Sequence, residues 1–253
     1  MIKQAVLSVI VSAASLVAMG SDDLVAIPGG SYVPFYPQKG TTTKTPVPPT
    51  LVESFLLDRD PVTNRRYLEF VFQHTEWRRS SIKRIFADSG YLQHWNNDLS
   101  ILPEDLDKPV VNISWFAAEA FCEAKQERLP MTDEWEYVLE DLGRGKASRM
   151  QQVLQWYSIP NRELPQAGNS PPNGFGIRDM VGAIWEWTED FNSFMASPDS
   201  RDSGQRNMFC GGGSLNASDP TDYASFMRYS FRSSLQGDFT GRNLGFRCAK
   251  DLK

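Results

Sequence analysis

Three cysteines, Cys122, Cys210 and Cys248, and two histidines, His74 and His94, are the residues of this chain best suited to hold a metal or carry electrons. Thiolate and thioether sulfur suit soft ions such as Cu(I). Cys210 follows Met208 by two positions, and with Met227 these could form a soft copper site. The other reading makes Cys210 a small buried hydrophobe in a strand. Two histidines twenty residues apart do not supply a three-histidine site, and His94 beside Trp95 reads as a packed or hydrogen-bonded residue. No Ser-His-Asp, Walker or nucleotide-binding pattern is present. Gly211 to Arg247 contains no cysteine at all, so no pair of thiolates can form there.

The elements that must position these residues are short. Ala26 to Tyr32 reads as a strand broken at Pro28-Gly29-Gly30, and Phe55-Leu56-Leu57 as a second strand. Thr63 suits a helix N-cap, followed by the apolar stripe Tyr67, Phe70 and Val71. Ser80 to Leu106 has no period and is expected to be irregular. Val110-Val111-Asn112 is expected to be a strand, and Ser114 the cap of a helix over Phe116 to Gln126. That helix should bury Ala117, Ala120, Phe121 and Ala124. Thr132 is expected to cap a further helix with Asp133 and Glu134 at the positive end of its dipole and Trp135 and Val138 inward. Arg162 to Gly176 should be loop, and Trp185 to Thr188 alternates like a strand.

Composition sets outer bounds. The formal charge of −5 argues against general nucleic-acid binding, which wants a basic face. Lys3, an uncharged apolar run from Ala5 to Met19 and the small residues Ala18 and Gly20 predict a signal peptide over 1–20, cut before Ser21. The alternative is an N-terminal anchor helix, which the run is short for. Export would place the chain in the periplasm or outside the cell, where a disulfide can form. Three cysteines allow one internal bridge at most. Seven tryptophans spread along the chain suggest one aromatic-rich core and one domain over 21–253.

Seven motifs occur in order: IPGGSY (27–32), PVTNRRYLEFV (61–71), PVVNISWFAAEAFC (109–122), RLPMTDEWEY (128–137), PPNGFGIRDMVGAIWEWTED (171–190), GGS (212–214) and NLGFRC (243–248). Together they resemble the formylglycine-generating enzyme family, the sulfatase-modifying-factor domain. The resemblance implies an α+β fold related to C-type lectins, with short antiparallel strands, few helices and much irregular chain. Such enzymes oxidise a sulfatase cysteine with oxygen, using copper between two thiolates. The matching thiol positions here are Ala217 and Ala224, so the resemblance is to a thiol-less branch. That branch includes accessory proteins found with copper nitrite reductases and a protein of pyoverdine maturation. YLQHW (91–95) and ASFMRY (224–229) look like the nitrite-reductase-associated group.

The resemblance further implies a structural disulfide between Cys122 and Cys248, the alternative being two buried thiols. It implies a groove lined by Ser214, Asn216, Ser218, Tyr223 and Arg228. Arg228, Arg232 and Arg247 could clamp a carboxylate or a peptide backbone there, or instead pair with Asp190, Glu186 or Asp238. The family's calcium sites look depleted, because Ala183 replaces an amide and the loop holding Asn169 has few carboxylates. Copper and calcium are the cofactors in view. The expected role is a periplasmic binding or maturation module with a protein or peptide partner; the alternatives are a tailoring oxidase and, more distantly, sulfatase activation.

Overall fold

The computed structural model describes residues 24–33, 48–141, 163–191 and 235–252. Its regular elements are β1 (Leu24–Ile27), β2 (Gly30–Tyr32), β3 (Thr50–Val52), β4 (Phe55–Asp58), α1 (Asn64–Gln73), α2 (Trp115–Ala124), α3 (Thr132–Glu140), β5 (Trp185–Glu186), β6 (Leu244–Gly245) and β7 (Ala249–Asp251). β4 lies between β1 and β7, antiparallel to both. β2 and β3 form an antiparallel pair, and β5 and β6 a two-residue parallel one. The architecture is thus mixed, with three short helices and short, mostly antiparallel strands among the described residues.

Side-chain caps begin the first two helices. Thr63 Oγ1 accepts the Arg66 N–H at 3.3 Å, and Ser114 Oγ accepts that of Ala117 at 3.2 Å. α2 ends in a Schellman turn, with the Gln126 N–H on the Glu123 carbonyl and the Glu127 N–H on the Cys122 carbonyl. Gln126 takes the left-handed conformation (φ 58°) that glycine usually fills at this position. Thr132 is not a cap but the first residue of α3. Its hydroxyl and N–H donate to Asp190 Oδ1, while Glu134 reaches back to accept the Met131 N–H.

Three further expectations change. Val110 to Asn112 is no strand: Val110 N–H bonds Val62 O, Asn112 N–H bonds Gly241 O, and Asn112 turns at φ 55°. α2 buries Ala117, Ala118, Phe121 and Cys122, leaving Ala120 half-buried and Ala124 exposed. The helix is rotated from the expected face because Cys122 must meet Cys248. Trp185 to Thr188 does not alternate, since all four residues are buried. Strand pairing covers only the first two, and neighbours lie on both sides.

The apolar interior of the described residues falls into two clusters rather than one. The first gathers Tyr67, Phe70, Trp95, Phe121 and Phe246 around α1 and α2. Tyr67 stacks on Phe121 at 5.7 Å and meets Phe246 edge-on at 6.2 Å. The second gathers Ile27, Phe55, Trp135, Tyr137 and Val138 around α3. The segment 246–249 runs along the seam. Phe246 and Cys248 join the first cluster, and Ala249 joins the second. This is the period-two alternation of extended chain between two apolar layers.

Candidate functional site

The positions expected to do chemistry, Ala217 and Ala224, the groove residues Ser214, Asn216, Ser218, Tyr223 and Arg228, and the sulfur ligands Met208, Cys210 and Met227 all lie outside the described residues, as does Arg232. What the structure describes is the chain on either side of them. Phe191 and Leu235 are the nearest described residues. Both ends fasten to the first turn of α2. Trp115 packs against Phe191 at 5.7 Å, and its indole N–H donates to Thr188 O at 3.0 Å. The Trp115 N–H donates to Gly237 O at 2.9 Å. Beyond Gly237, Asp88 binds Thr240 through its hydroxyl and its N–H. Phe191 and Gly237 therefore meet at the first turn of α2.

The interior of the described residues holds a buried ion pair. Arg247 has no exposed surface and uses all five of its donor N–H groups. Two go to Glu186, at 2.8 Å each, and three to the carbonyls of Asp58, Arg59 and Arg178. Trp135 Nε1–H adds a third bond to Glu186, at 2.7 Å. Burial opposes the arginine charge, but the Glu186 carboxylate more than offsets it, and the Arg247 pKa stays raised. Arg247 is thus structural, one of the two alternatives left by its sequence. Asp190 is held by Thr132 instead of by Arg247.

Two carboxylates that sequence reading passed over are Glu119, on α2, and Glu189. Burial raises the Glu119 pKa from 4.5 to about 7, with Glu189 and Glu123 adding like charge. Glu189 is raised too, first by burial. The spacing of Glu119 and Glu123 on one helix face was the available signal.

Metal chemistry can be tested on the residues present. Cys122 and Cys248 form a disulfide, so neither offers a thiolate. Copper between thiolates has no ligands among the described residues. The loop around Asn169 does not fit calcium: Gly168 and Ser170 direct their backbone N–H groups at the Asp179 carboxylate, which occupies its oxygens with donors. A hard cation wants those oxygens free. His94 is exposed, yet its ring turns inward, with Nε2 3.2 Å from the buried Asn64 Oδ1. Loss of water around the ring lowers its pKa to about 4. Asp58, Glu127 and Cys248 bring two carboxylate oxygens and a sulfur within 4.8 Å of one another. The disulfide keeps that group from holding an ion as it stands. No described helix is long and apolar enough to cross a membrane.

Comparison with known proteins agrees with the motif order. The model of the sulfatase-modifying factor enzyme 1-like domain matches residues 14–252. Inactive C-alpha-formylglycine-generating enzyme 2 of Bos taurus is 27% identical over 282 residues, covering 90% of this chain and 87% of that protein. Formylglycine-generating enzyme of Streptomyces coelicolor is 26% identical, covering 90% and 88%. The bovine formylglycine-generating enzyme is 31% identical over 169 residues, which span 57% of this chain and 44% of that enzyme. Among solved structures, PvdO from Pseudomonas aeruginosa is similar with a TM-score of 0.47 and 16% identity, over 90% of this chain and 94% of that one.

Proposed function

Because the chain belongs to the sulfatase-modifying factor enzyme 1-like domain family, we propose that it is an exported binding or accessory module that keeps the family scaffold without its thiol oxidase chemistry. One observation carries this reading: no cysteine occurs from Gly211 to Arg247. Ala217 and Ala224 stand at the positions of the thiol pair, and Cys122 and Cys248 are joined to each other. A relative named as inactive, similar along 90% of this chain, supports the same direction. The signal-like N-terminus and the resemblance to nitrite-reductase-associated proteins favour a periplasmic role beside a copper or respiratory enzyme.

The groove would take a peptide or protein segment through Ser214, Asn216, Ser218, Tyr223 and Arg228. The test has two arms. A cysteine peptide carrying a sulfatase motif, incubated with the protein, Cu(I) and oxygen, is expected to show no mass change. In cells, cross-linking is expected to join residues 211–234 to a periplasmic enzyme. Conversion of the peptide cysteine would overturn the proposal.

A second reading rests on Cys210, the cysteine left outside the disulfide. With Met208 it would hold copper in a tailoring oxidase acting near Tyr223 and Arg228. Stoichiometric copper that is lost in Cys210→Ala, together with oxygen uptake, would favour it.

A further inference from the structure

The segment that follows α1 is basic in an acidic chain. Residues 75–86 hold Arg78, Arg79, Lys83 and Arg84 against Glu76 alone, a net +3 within a formal −5. Two turns fold it. The Ser81 and Ile82 N–H groups return to the Arg78 carbonyl, and those of Phe86 and Ala87 to the Lys83 carbonyl. Lys83 opens the second turn, Arg84 and Ile85 form its apex, and all three are exposed. Ile85 is 70% exposed. The base of the turn is fixed: the Phe86 ring meets Trp77 at 5.8 Å and Phe116 at 5.6 Å, and Ala87 is buried. Arg78 ties this turn to α1 by donating to the Val71 and Phe72 carbonyls, at 3.1 Å each. The Phe72 side chain, on that last turn of α1, is itself 66% exposed. Nearby Asp98 is already engaged, accepting the Ser80 N–H and hydroxyl. Lys83 and Arg84 make no ion pair among the described residues.

We propose that the tip Lys83-Arg84-Ile85, together with Phe72 at the end of α1, docks this protein on the surface of an anionic phospholipid bilayer. A single exposed apolar side chain is ordinary. Here one stands at the apex of a firmly based turn, beside two cations with no charge partner. Charge complementarity selects an anionic surface, and the apolar content selects lipid over protein. A protein partner would need about 800 Å² on each side, with a packed core poor in lysine. Two apolar side chains among cations offer no such core. A bilayer interface closes around individual side chains instead. Ile85 and Phe72 enter the boundary between headgroups and acyl chains, while Lys83, Arg84 and Arg79 stay at the level of the phosphates. Each such cation is worth roughly fivefold in affinity at an anionic surface. The attachment is peripheral and crosses nothing.

A probe at the tip reads its insertion directly. The full chain carrying Cys210→Ala and Ile85→Cys is labelled at position 85 with an environment-sensitive fluorophore, since Cys122 and Cys248 are buried in their disulfide. It is titrated with vesicles of phosphatidylcholine alone, and with vesicles of equal parts phosphatidylcholine and phosphatidylglycerol. The expected result is a blue shift and protection from an aqueous quencher on the phosphatidylglycerol vesicles only, lost at high salt. Lys83→Glu with Arg84→Glu should weaken that response at least tenfold and leave the melting temperature unchanged, because both side chains are exposed. The same label introduced through Leu51→Cys, at a 75% exposed position of β3, should not respond. No shift on the anionic vesicles overturns the proposal, as does an equal shift on phosphatidylcholine or at the Leu51 position. Unchanged affinity in the double charge variant overturns it too. Binding of soluble polyglutamate without any response to vesicles would assign the tip to an acidic protein and overturn the lipid reading.

Discussion

Glu186 and Arg247 show what a single residue pair can cost or support. Both are buried, and each completes the other's bonding. Removing one charge leaves its partner uncompensated in a dry interior, at about 3–5 kcal/mol. Glu186→Gln is therefore expected to lower the urea midpoint sharply, and Arg247→Met likewise. The double variant should recover part of the loss, because no lone charge remains. Glu119 works in the opposite sense. Its pKa rises on folding from 4.5 to about 7, so the folded state binds its proton more tightly than the unfolded chain. Its contribution is fully present below pH 4.5 and is lost as pH rises to 7. Glu119→Gln should leave thermal stability at pH 4 unchanged and raise it at pH 8. The gain should be about 1 kcal/mol or less, since solvent screens the group.

At the scale of elements, the short strands depend on close backbone approach. Gly245 in β6 faces Val110 O so tightly that a Cβ would collide with it and press on Ile184. Gly245→Ala should separate β6 from β5 and lower the melting temperature by far more than a change at the exposed Ala124. An overpacking cost of about 1–3 kcal/mol is a lower bound here, because the obstacle is backbone. The helix caps are weaker devices. Ser114→Ala should cost about 1 kcal/mol, measured by denaturant unfolding, because Ala117 N–H loses its acceptor in a buried turn. These caps were legible from residue type and position, as were the apolar stripe of α1 and the loop over 163–176. The α2 face was not: alanines at helical spacing mark several faces equally, and the Cys122 contact selected among them. Thr132 misled for a related reason, since its hydroxyl is engaged by Asp190 from a distant segment.

Across the whole molecule, the Cys122–Cys248 bond joins positions 126 residues apart. A loop of that size implies roughly 5 kcal/mol of stabilisation through the unfolded chain. Cys122→Ala with Cys248→Ala should lower the denaturant midpoint accordingly, and reduction of the unmodified chain should do the same. The sequence by itself determined the family, through seven motifs in order, and left Gly211 to Arg247 without a cysteine, an absence that no folding can repair. It also supplied a short list of partners for Arg247. Tertiary structure decided which partner was taken, that two apolar clusters meet along 246–249, and that Asp58 and Glu127 stand beside the disulfide. Those outcomes depend on contacts between segments 60 to 190 positions apart. Local residue patterns constrain φ, ψ and burial over a few positions, whereas such pairings emerge only when the packed chain has to satisfy every buried donor and acceptor together.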